Sequence, residues 1–347
     1  PPSHLPWRAF ALRTPCALLH DLASDAVFAV AEADAAQQLD TLEQDARHAQ
    51  AELAAGAGAA GGATVQVHVR GIEEEDPGKF LQRVRQAQHY IRAGDIYQAN
   101  LSRLWRIELA GTPSVADLYL RLCAANPAPF AALVQWQDVA LLSSSPERLV
   151  RIDSAGRIET RPIAGTRPRS GTPGGDASET AALVAHPKER AEHIMLIDLE
   201  RNDLGRVCVP GSVQVDELMI TETYAHVHHI VSNVGGRLRD GLTPVDVLRA
   251  VFPGGTITGC PKFRCMQIIA ELEGEARAAY TGAIGFVNHD GSMDMNILIR
   301  SLTLSGRRLE FRAGGGIVAD SDWERELTET RAKARGLLAA LRGRPPT

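Results

Sequence analysis

The apolar spacing of this chain changes period at Gly94. Before it, Phe80, Val84, Ala87 and Ile91 recur at i, i+4, i+7 and i+11, which places four apolar side chains on one face of a helix. After it, Ile96 to Leu109 reads as a strand. Gly94-Asp95 is the stop, because glycine takes the left-handed conformation that ends helices without steric cost. The chain is therefore committed to a mixture of helix and sheet, and the mixture recurs downstream. Ala31 to Leu53 has helical spacing, and Thr64 to Val69 alternates as a strand does. Ala131 to Ser143 and Arg148 to Ile158 are strand-like, Glu179 to Leu199 reads as one long helix, and Val213 to Ile220 and Ala225 to Val234 read as strands or a strand-to-helix passage. Pro244 to Val251 and Pro261 to Leu272 read as helices. Ala279 to Val287, Asp294 to Leu304 and Leu309 to Ile317 read as strands, and Trp323 to Leu341 as a closing helix. Irregular alternation with hairpin-like pairs predicts an α+β fold with large, mostly antiparallel sheets. The Ala- and Gly-rich run from Ala54 to Gly62 reads as a flexible loop.

Composition excludes some roles. Of 347 residues, 44% are hydrophobic and 23% charged, with a net charge of −5. Such a balance gives no general attraction to nucleic acid or to an anionic membrane, so an anionic substrate must be met by local Arg and Lys. No stretch approaches the roughly 18–20 apolar residues that span a bilayer, and Pro1-Pro2-Ser3-His4 does not open a secretory signal. The five cysteines, Cys16, Cys123, Cys208, Cys260 and Cys265, have no CxxC spacing. Free thiols in a reducing cytoplasm are expected.

Several clusters carry chemistry. Glu326, Glu329 and Lys333 share one face of the last helix. Two such carboxylates, with Glu192 on an earlier helix, are the kind of hard oxygen donors that Mg²⁺ takes together with substrate oxygens. A solvated helix face is the plain alternative. Ala313-Gly314-Gly315-Gly316-Ile317 follows a strand, and Phe252 to Lys262 is a second Gly-rich stretch opening a helix. Both let backbone N–H groups approach an anion, although neither matches a nucleotide-binding fingerprint. Arg161, Arg167 and Arg169 bracket a tight turn that presents Thr166. His226, His228 and His229 alternate on a strand; without a supporting CxxC or HExxH, one buried functional His is a better reading than zinc.

Taken in order, these motifs resemble the chorismate-binding family, which holds the anthranilate synthase large subunit, aminodeoxychorismate synthase component I, and the isochorismate and salicylate synthases. The resemblance runs from about Asp76 to Leu341. It implies an α+β fold of two stacked, largely antiparallel sheets flanked by helices, with a catalytic domain over 76–343 and a shortened N-terminal segment over 1–75. It implies that Glu192, Glu326 and Glu329 hold Mg²⁺ against the ring carboxylate of chorismate. It implies further that Arg300 pairs with a substrate carboxylate, with Gly315, Gly316, Lys333 and Tyr280 beside it. It implies as well that Ala164, Gly165 and Thr166 belong to the substrate-binding turn, that His229 lies near the ring C4 oxygen, and that Glu147 protonates the departing hydroxyl.

Gln98 separates members of such a family. The isochorismate and salicylate synthases place a lysine there to activate water, and Gln has no basic nitrogen for that task. Ammonia is thus the expected nucleophile. Tyr97 to Leu101, Leu142 to Glu147, Thr256 to Gly259 and Ala313 to Ser321 look like the aminodeoxychorismate type, which points to 4-amino-4-deoxychorismate and the folate branch. Ala164 disagrees: many such enzymes carry a lysine in that turn, whereas anthranilate synthases carry Ala and add ammonia at C2. A degenerate chorismate-binding subunit would need the carboxylates or Arg300 to be lost, and none is. No glutaminase-like nucleophile elbow is visible, and Cys260 and Cys265 read as structural. A separate glutamine amidotransferase subunit is therefore the expected ammonia source. The Leu-Glu-Ser motif of the feedback-inhibited anthranilate type is absent, so tryptophan control is not expected.

Overall fold

A computed structural model describes Leu5 and residues 8–54, 67–170, 172–185, 187–223 and 227–342. The chain divides into two compact units, Leu5–Gln66 and, apart from the first four residues, Val67–Thr347. In the smaller unit, β1 (Cys16–Asp21) and β2 (Ala26–Ala31) form an antiparallel hairpin, Cys16 facing Ala31 and Asp21 facing Ala26. The Asp21 carboxylate closes its turn by accepting from the Ser24 hydroxyl at 2.6 Å and the Ala23 N–H at 3.0 Å. A 3₁₀ turn over Ala33–Gln38 leads into helix α1, Leu39–Ala54. The helix expected from Ala31 thus begins later, the preceding residues being strand and 3₁₀ turn.

The larger unit contains, among its described residues, two seven-stranded antiparallel sheets. One is built on the long strand β4 (Gln98–Leu109), flanked by β3 (Val69–Glu74), β12 (Gly259–Cys260) and β16 (Arg308–Ile317), and continues through β15 (Ser301–Ser305), β6 (Val139–Ser145) and β5 (Phe130–Trp136). The other runs β10 (Gln214–Thr223), β11 (Val227–Arg237), β8 (Arg157–Thr160), β7 (Arg148–Ile152), β14 (Met293–Asn296) and β13 (Gly285–Val287), with β9 (Ile163–Pro168) also on β11. The α+β expectation holds. Two spans read as single strands, 131–143 and 148–158, are hairpins, bent at Gln137 with φ of 55° and at Gly156 with φ of 76°. Thr64 to Gln66 of the alternating stretch lies outside the described residues, and the strand itself is Val69–Glu74.

The helices follow their apolar faces. Helix α2 (Pro77–Arg92) buries Phe80, Val84 and Ala87, as the spacing requires. The Asp76 side chain caps its first turn by accepting from the Gly78 N–H at 2.8 Å, and Gly94 ends it at φ of 82°. Helices α3 (Val115–Ala125) and α8 (Trp323–Arg342) cover one face of the β4 sheet. There Leu142, Leu302 and Leu309 are fully buried with Leu118 and Leu122, and truncating such a leucine typically costs about 2–5 kcal/mol. The long helix expected over Glu179 to Leu199 is two: α4 (Pro173–Ala185) and α5 (Pro187–Gly205). Proline lacks the N–H that a helix interior needs but suits a first turn, so Pro187 opens a new helix. Helices α6 (Pro244–Val251) and α5 cover the second sheet around Val150, Ile158 and Val234, and α7 (Lys262–Glu273) packs with α2 on β4. None of the helices described is long and apolar enough to cross a membrane.

Candidate active site

Two of the chain's passages between the two sheets lie side by side. Strand β6 of the first sheet runs through Pro146-Glu147 into β7 of the second, and β14 of the second runs through 297–300 into β15 of the first. Because β6 pairs with β15 and β7 with β14, the two crossings are neighbours. Backbone bonds lock them: Ile297 N–H donates to the Glu147 carbonyl at 3.0 Å, and Ser144 N–H to the Arg300 carbonyl at 3.2 Å. The Ser145 hydroxyl adds a bond to the Ile297 carbonyl at 2.6 Å. Glu147 and Arg300 are therefore held at one seam, Arg300 with a left-handed φ of 50°. Such a conformation is uncommon for a residue with a β-carbon and persists where the surroundings enforce it.

The Gly-rich end of β16 forms the second wall. A β-carbon on Gly315 would lie 3.4 Å from Glu329 Oε1, 3.6 Å from Glu326 Oε2 and 3.7 Å from Lys333 Nζ. One on Gly316 would overlap the Gln98 carboxamide and lie 3.2 Å from Glu192 Oε1. Glycine is what lets these five polar side chains close on the strand. The Lys333 ammonium donates to the Gly314 carbonyl at 2.9 Å and pairs with Glu329 at 2.8 Å. The three carboxylates thus flank two successive glycines, Glu192 on one side and Glu326 with Glu329 on the other. Among the described residues, no three His, Cys, Asp or Glu side chains converge into a complete metal cage. Glu326 and Glu329 share one place beside Gly315; carboxylate oxygens are the kind of donor a hard cation takes together with substrate oxygens.

The third wall is the β9–β11 pair, where His229 faces Thr166. Ala164 is buried, and Gly165 turns with φ of 64°. His229 is 3% exposed, and its Nδ1 lies 3.2 Å from the Gly165 carbonyl. A carbonyl only accepts, so Nδ1 carries the proton and Nε2 is the ring's acceptor. Burial pushes the His229 pKa down to about 4, with Arg300 and Lys333 acting the same way and the Gly165 bond opposing. The ring is neutral at pH 7. The Thr166 side chain lies outside what the structure describes.

Glu147 is 5% exposed. Burial lifts its pKa to about 7, against the pull of Thr256, Lys333, Arg300 and the Ile163 N–H. A carboxylic acid that keeps its proton near neutrality is a competent general acid. Tyr280 is lifted to about 12 by burial and sits against Arg277, whose guanidinium carbon is 5.6 Å from the ring centre. It also lines a cavity of about 350 Å³ with Ser301, Arg312 and Glu310, and it lies within electrostatic reach of Glu147. The other expected site residues lie at the seam, along the glycine strand or on the β9–β11 pair, where only the backbone of Thr166 is described.

Sequence reasoning missed Thr256, Glu200, Asp203 and Lys262. Thr256 and Lys262 lie in the Gly-rich stretch it had marked for an anion, and their approach to carboxylates depends on a fold that spacing does not reveal. Glu200 and Asp203 follow Glu192 on α5, where a run of mixed residues shows no clear buried face.

Comparison with known proteins shows the family of the chain. A family model described as chorismate binding enzyme matches residues 9–339. Anthranilate synthase component 1 of Aquifex aeolicus is 47% identical over 263 residues, 76% of this chain and 53% of that protein. Aminodeoxychorismate synthase component 1 of Salmonella typhimurium is 46% identical over 263 residues, 76% of this chain and 57% of that protein. The crystal structure of anthranilate synthase component I from Streptococcus pneumoniae superposes with a TM-score of 0.78 at 33% identity, covering 92% of this chain and 71% of that one. The chain spans little more than half the length of the curated relatives it matches. It belongs to the chorismate-binding enzyme family.

Proposed function

We propose that the chain aminates chorismate to 4-amino-4-deoxychorismate, with Mg²⁺ as cofactor and with ammonia from a glutamine amidotransferase partner. The observation that carries the amination is Gln98. It is 2% exposed beside Gly316, in the place where a water-activating lysine stands in the isochorismate and salicylate synthases. A carboxamide does not deprotonate water, so a nucleophile strong enough to attack in its neutral form, as ammonia is, is required. The relatives called component 1 are named as parts of larger assemblies, which supports a partner subunit.

Arg300 forms a fork for a planar carboxylate, and Lys333 with the Gly315 and Gly316 N–H groups supports a second anionic group. Mg²⁺ held by Glu192, Glu326 and Glu329 would neutralise the ring carboxylate when bound. Glu147 gives its proton to the ring hydroxyl as the C–O bond breaks with its electron pair on oxygen, and water leaves. Ammonia forms the new C–N bond and sheds its surplus proton, and Glu147 regains one. His229, neutral, accepts a hydrogen bond from the C4 hydroxyl through Nε2.

A second reading is anthranilate synthase, with ammonia entering at C2 and pyruvate lost. Ala164 favours it, because a buried alanine offers no amine for covalent attack at C2. Incubation with chorismate, Mg²⁺ and ammonium at alkaline pH, with and without aminodeoxychorismate lyase, separates the two. 4-Aminobenzoate that requires the lyase supports the first reading; fluorescent anthranilate without lyase replaces it with the second.

A further inference from the structure

Glu200 lies on α5 two turns beyond Glu192 and is 7% exposed, yet the chemistry above leaves it unused. A β-carbon on Gly255 would lie 3.3 Å from Glu200 Oε1. The next residue, Thr256, faces Glu147 on the other side of the same turn. Gly254 packs against Leu149 and Ile297, beside the bond that holds the Glu147 carbonyl. The 254–256 turn is thus inserted between two buried carboxyl groups. Among the described residues, Glu147 Oε1 and Thr256 Oγ1 are buried and make no hydrogen bond of ordinary geometry. The Thr160 hydroxyl of β8 faces Glu200 from the sheet side. One turn along α5, Asp203 is paired with Lys262, whose ammonium also donates to the Val251 carbonyl at 2.9 Å. Asp203 and Lys262 line an open groove of about 900 Å³.

We propose that Glu200 is a positioning residue for the proton chemistry of Glu147: it keeps a proton beside Glu147 and returns it after each turnover, with Asp203 and Lys262 linking it to the groove. The proposal rests on the reading of Glu147 as the general acid. Once Glu147 has protonated the leaving hydroxyl, the Glu200 O–H bond breaks and its proton passes to the Glu147 carboxylate, directly or through the Thr256 hydroxyl, which gives one proton as it takes another. The Glu200 carboxylate then takes a proton from groove water through Asp203. The charges facing Glu200 order the pair. Burial raises it to about 8, Asp203 and ionised Glu147 act the same way, and Lys262 opposes them. Glu147, at about 7, ionises first and Glu200 holds the remaining proton. Two carboxyls this close titrate as a unit.

The test is Glu200→Gln, which keeps shape and removes the proton. With free ammonia held constant, the alkaline limb of kcat should move down by about one pH unit, leaving activity near pH 6.5 nearly unchanged and lowering it roughly five-fold at pH 8. Glu200→Asp should restore part of the limb. Without turnover, the infrared band of protonated carboxyl at pH 7.5 should weaken in Glu200→Gln and persist in Glu147→Gln. An unmoved limb, an equal loss at every pH, or an unchanged band overturns the proposal. Full activity in Glu147→Gln would instead sink the reading of Glu147 as the acid, and the infrared arm would still report where the proton resides.

Discussion

Gly316 packs against the Gln98 carboxamide so closely that no β-carbon fits between them. Gln98 is on β4 and Gly316 on the adjacent β16, so that contact holds the amide against the glycine strand. Gly314 is equally crowded, but its neighbours are the Leu101 carbonyl and the Ser102 Cα, the latter 2.9 Å from an added β-carbon. Side chains can yield where backbone cannot. Gly316→Ala should therefore fold, lose about 1–3 kcal/mol of stability and show at least a roughly ten-fold loss in kcat/KM. Gly314→Ala should fail to accumulate as folded protein. Thermal melts with chorismate turnover check both; equal behaviour of the two variants would contradict the distinction.

Gln98→Lys should change the nucleophile. The new amine would enter a buried place beside Glu192, where a carboxylate holds a lysine charged and burial opposes this. Ammonia-dependent product should fall by roughly ten-fold or more, and a water-addition product, a chorismate isomer of unchanged mass, should appear. Chromatography of the products decides. No isomer at any pH from 7 to 9 would mean that position 98 does not select the nucleophile.

Helix α2 and the long strand β4 were legible because each carries one period, whereas α4 and α5 were read as one helix, and β14 and β15, which belong to different sheets, as one strand. Phe80, Val84 and Ala87 are spaced as a helix and are buried as one. The hairpins at Gln137 and Gly156 were not legible, since two short strands joined by a tight turn keep the alternation of one long strand. Among site residues, Gly315, Gly316, Glu326 and Glu329 showed themselves by local spacing. Glu147 and Arg300 did not: they lie 153 positions apart, and only the paired crossings between sheets bring them to one seam. Glu200 carried no signal, because its meaning comes from a turn some 55 residues further on, which only the fold inserts beside it.

Magnesium dependence should pass through the last helix. Glu326 and Glu329 lie within 3.6 Å of a β-carbon position on Gly315, so each neutral substitution removes one oxygen anion from the same place. Glu326→Gln and Glu329→Gln should each weaken apparent Mg²⁺ binding by roughly ten-fold or more, with the loss partly recovered at high Mg²⁺. Glu329→Gln should also release Lys333, paired at 2.8 Å, and raise KM for chorismate more than Glu326→Gln does. Turnover in excess chelator at the full rate would remove Mg²⁺ from the proposed reaction.

The buried histidines should each oppose the fold as pH falls. His193 is fully buried with Nε2 2.7 Å from the Ser232 hydroxyl, and burial pushes it down to about 4. His229 is pushed down to about 4 as well. The unfolded chain binds those two protons near pH 6.5 and the folded chain only near 4, so stability is present above 6.5 and is lost as pH falls through this window. Each ring accounts for at most about 3 kcal/mol. Glu147 and Glu200 run the other way: their raised values give stability that is complete below about 4.5 and lost as pH rises through about 7 and about 8. Between about 4.5 and 6.5 the two pairs therefore nearly cancel, and above 6.5 the carboxyl groups prevail, so the net contribution of these four groups is flat over that window and falls as pH rises beyond it. His193→Asn removes one titrating ring while leaving an N–H for Ser232. Its denaturation free energy at pH 7 should be lower than that of the parent, but the gap should close by about 1.4 kcal/mol for each pH unit between 6.5 and 4, because the variant has lost one of the two buried histidines. Parallel curves for parent and variant would show that His193 protonates without resisting the fold.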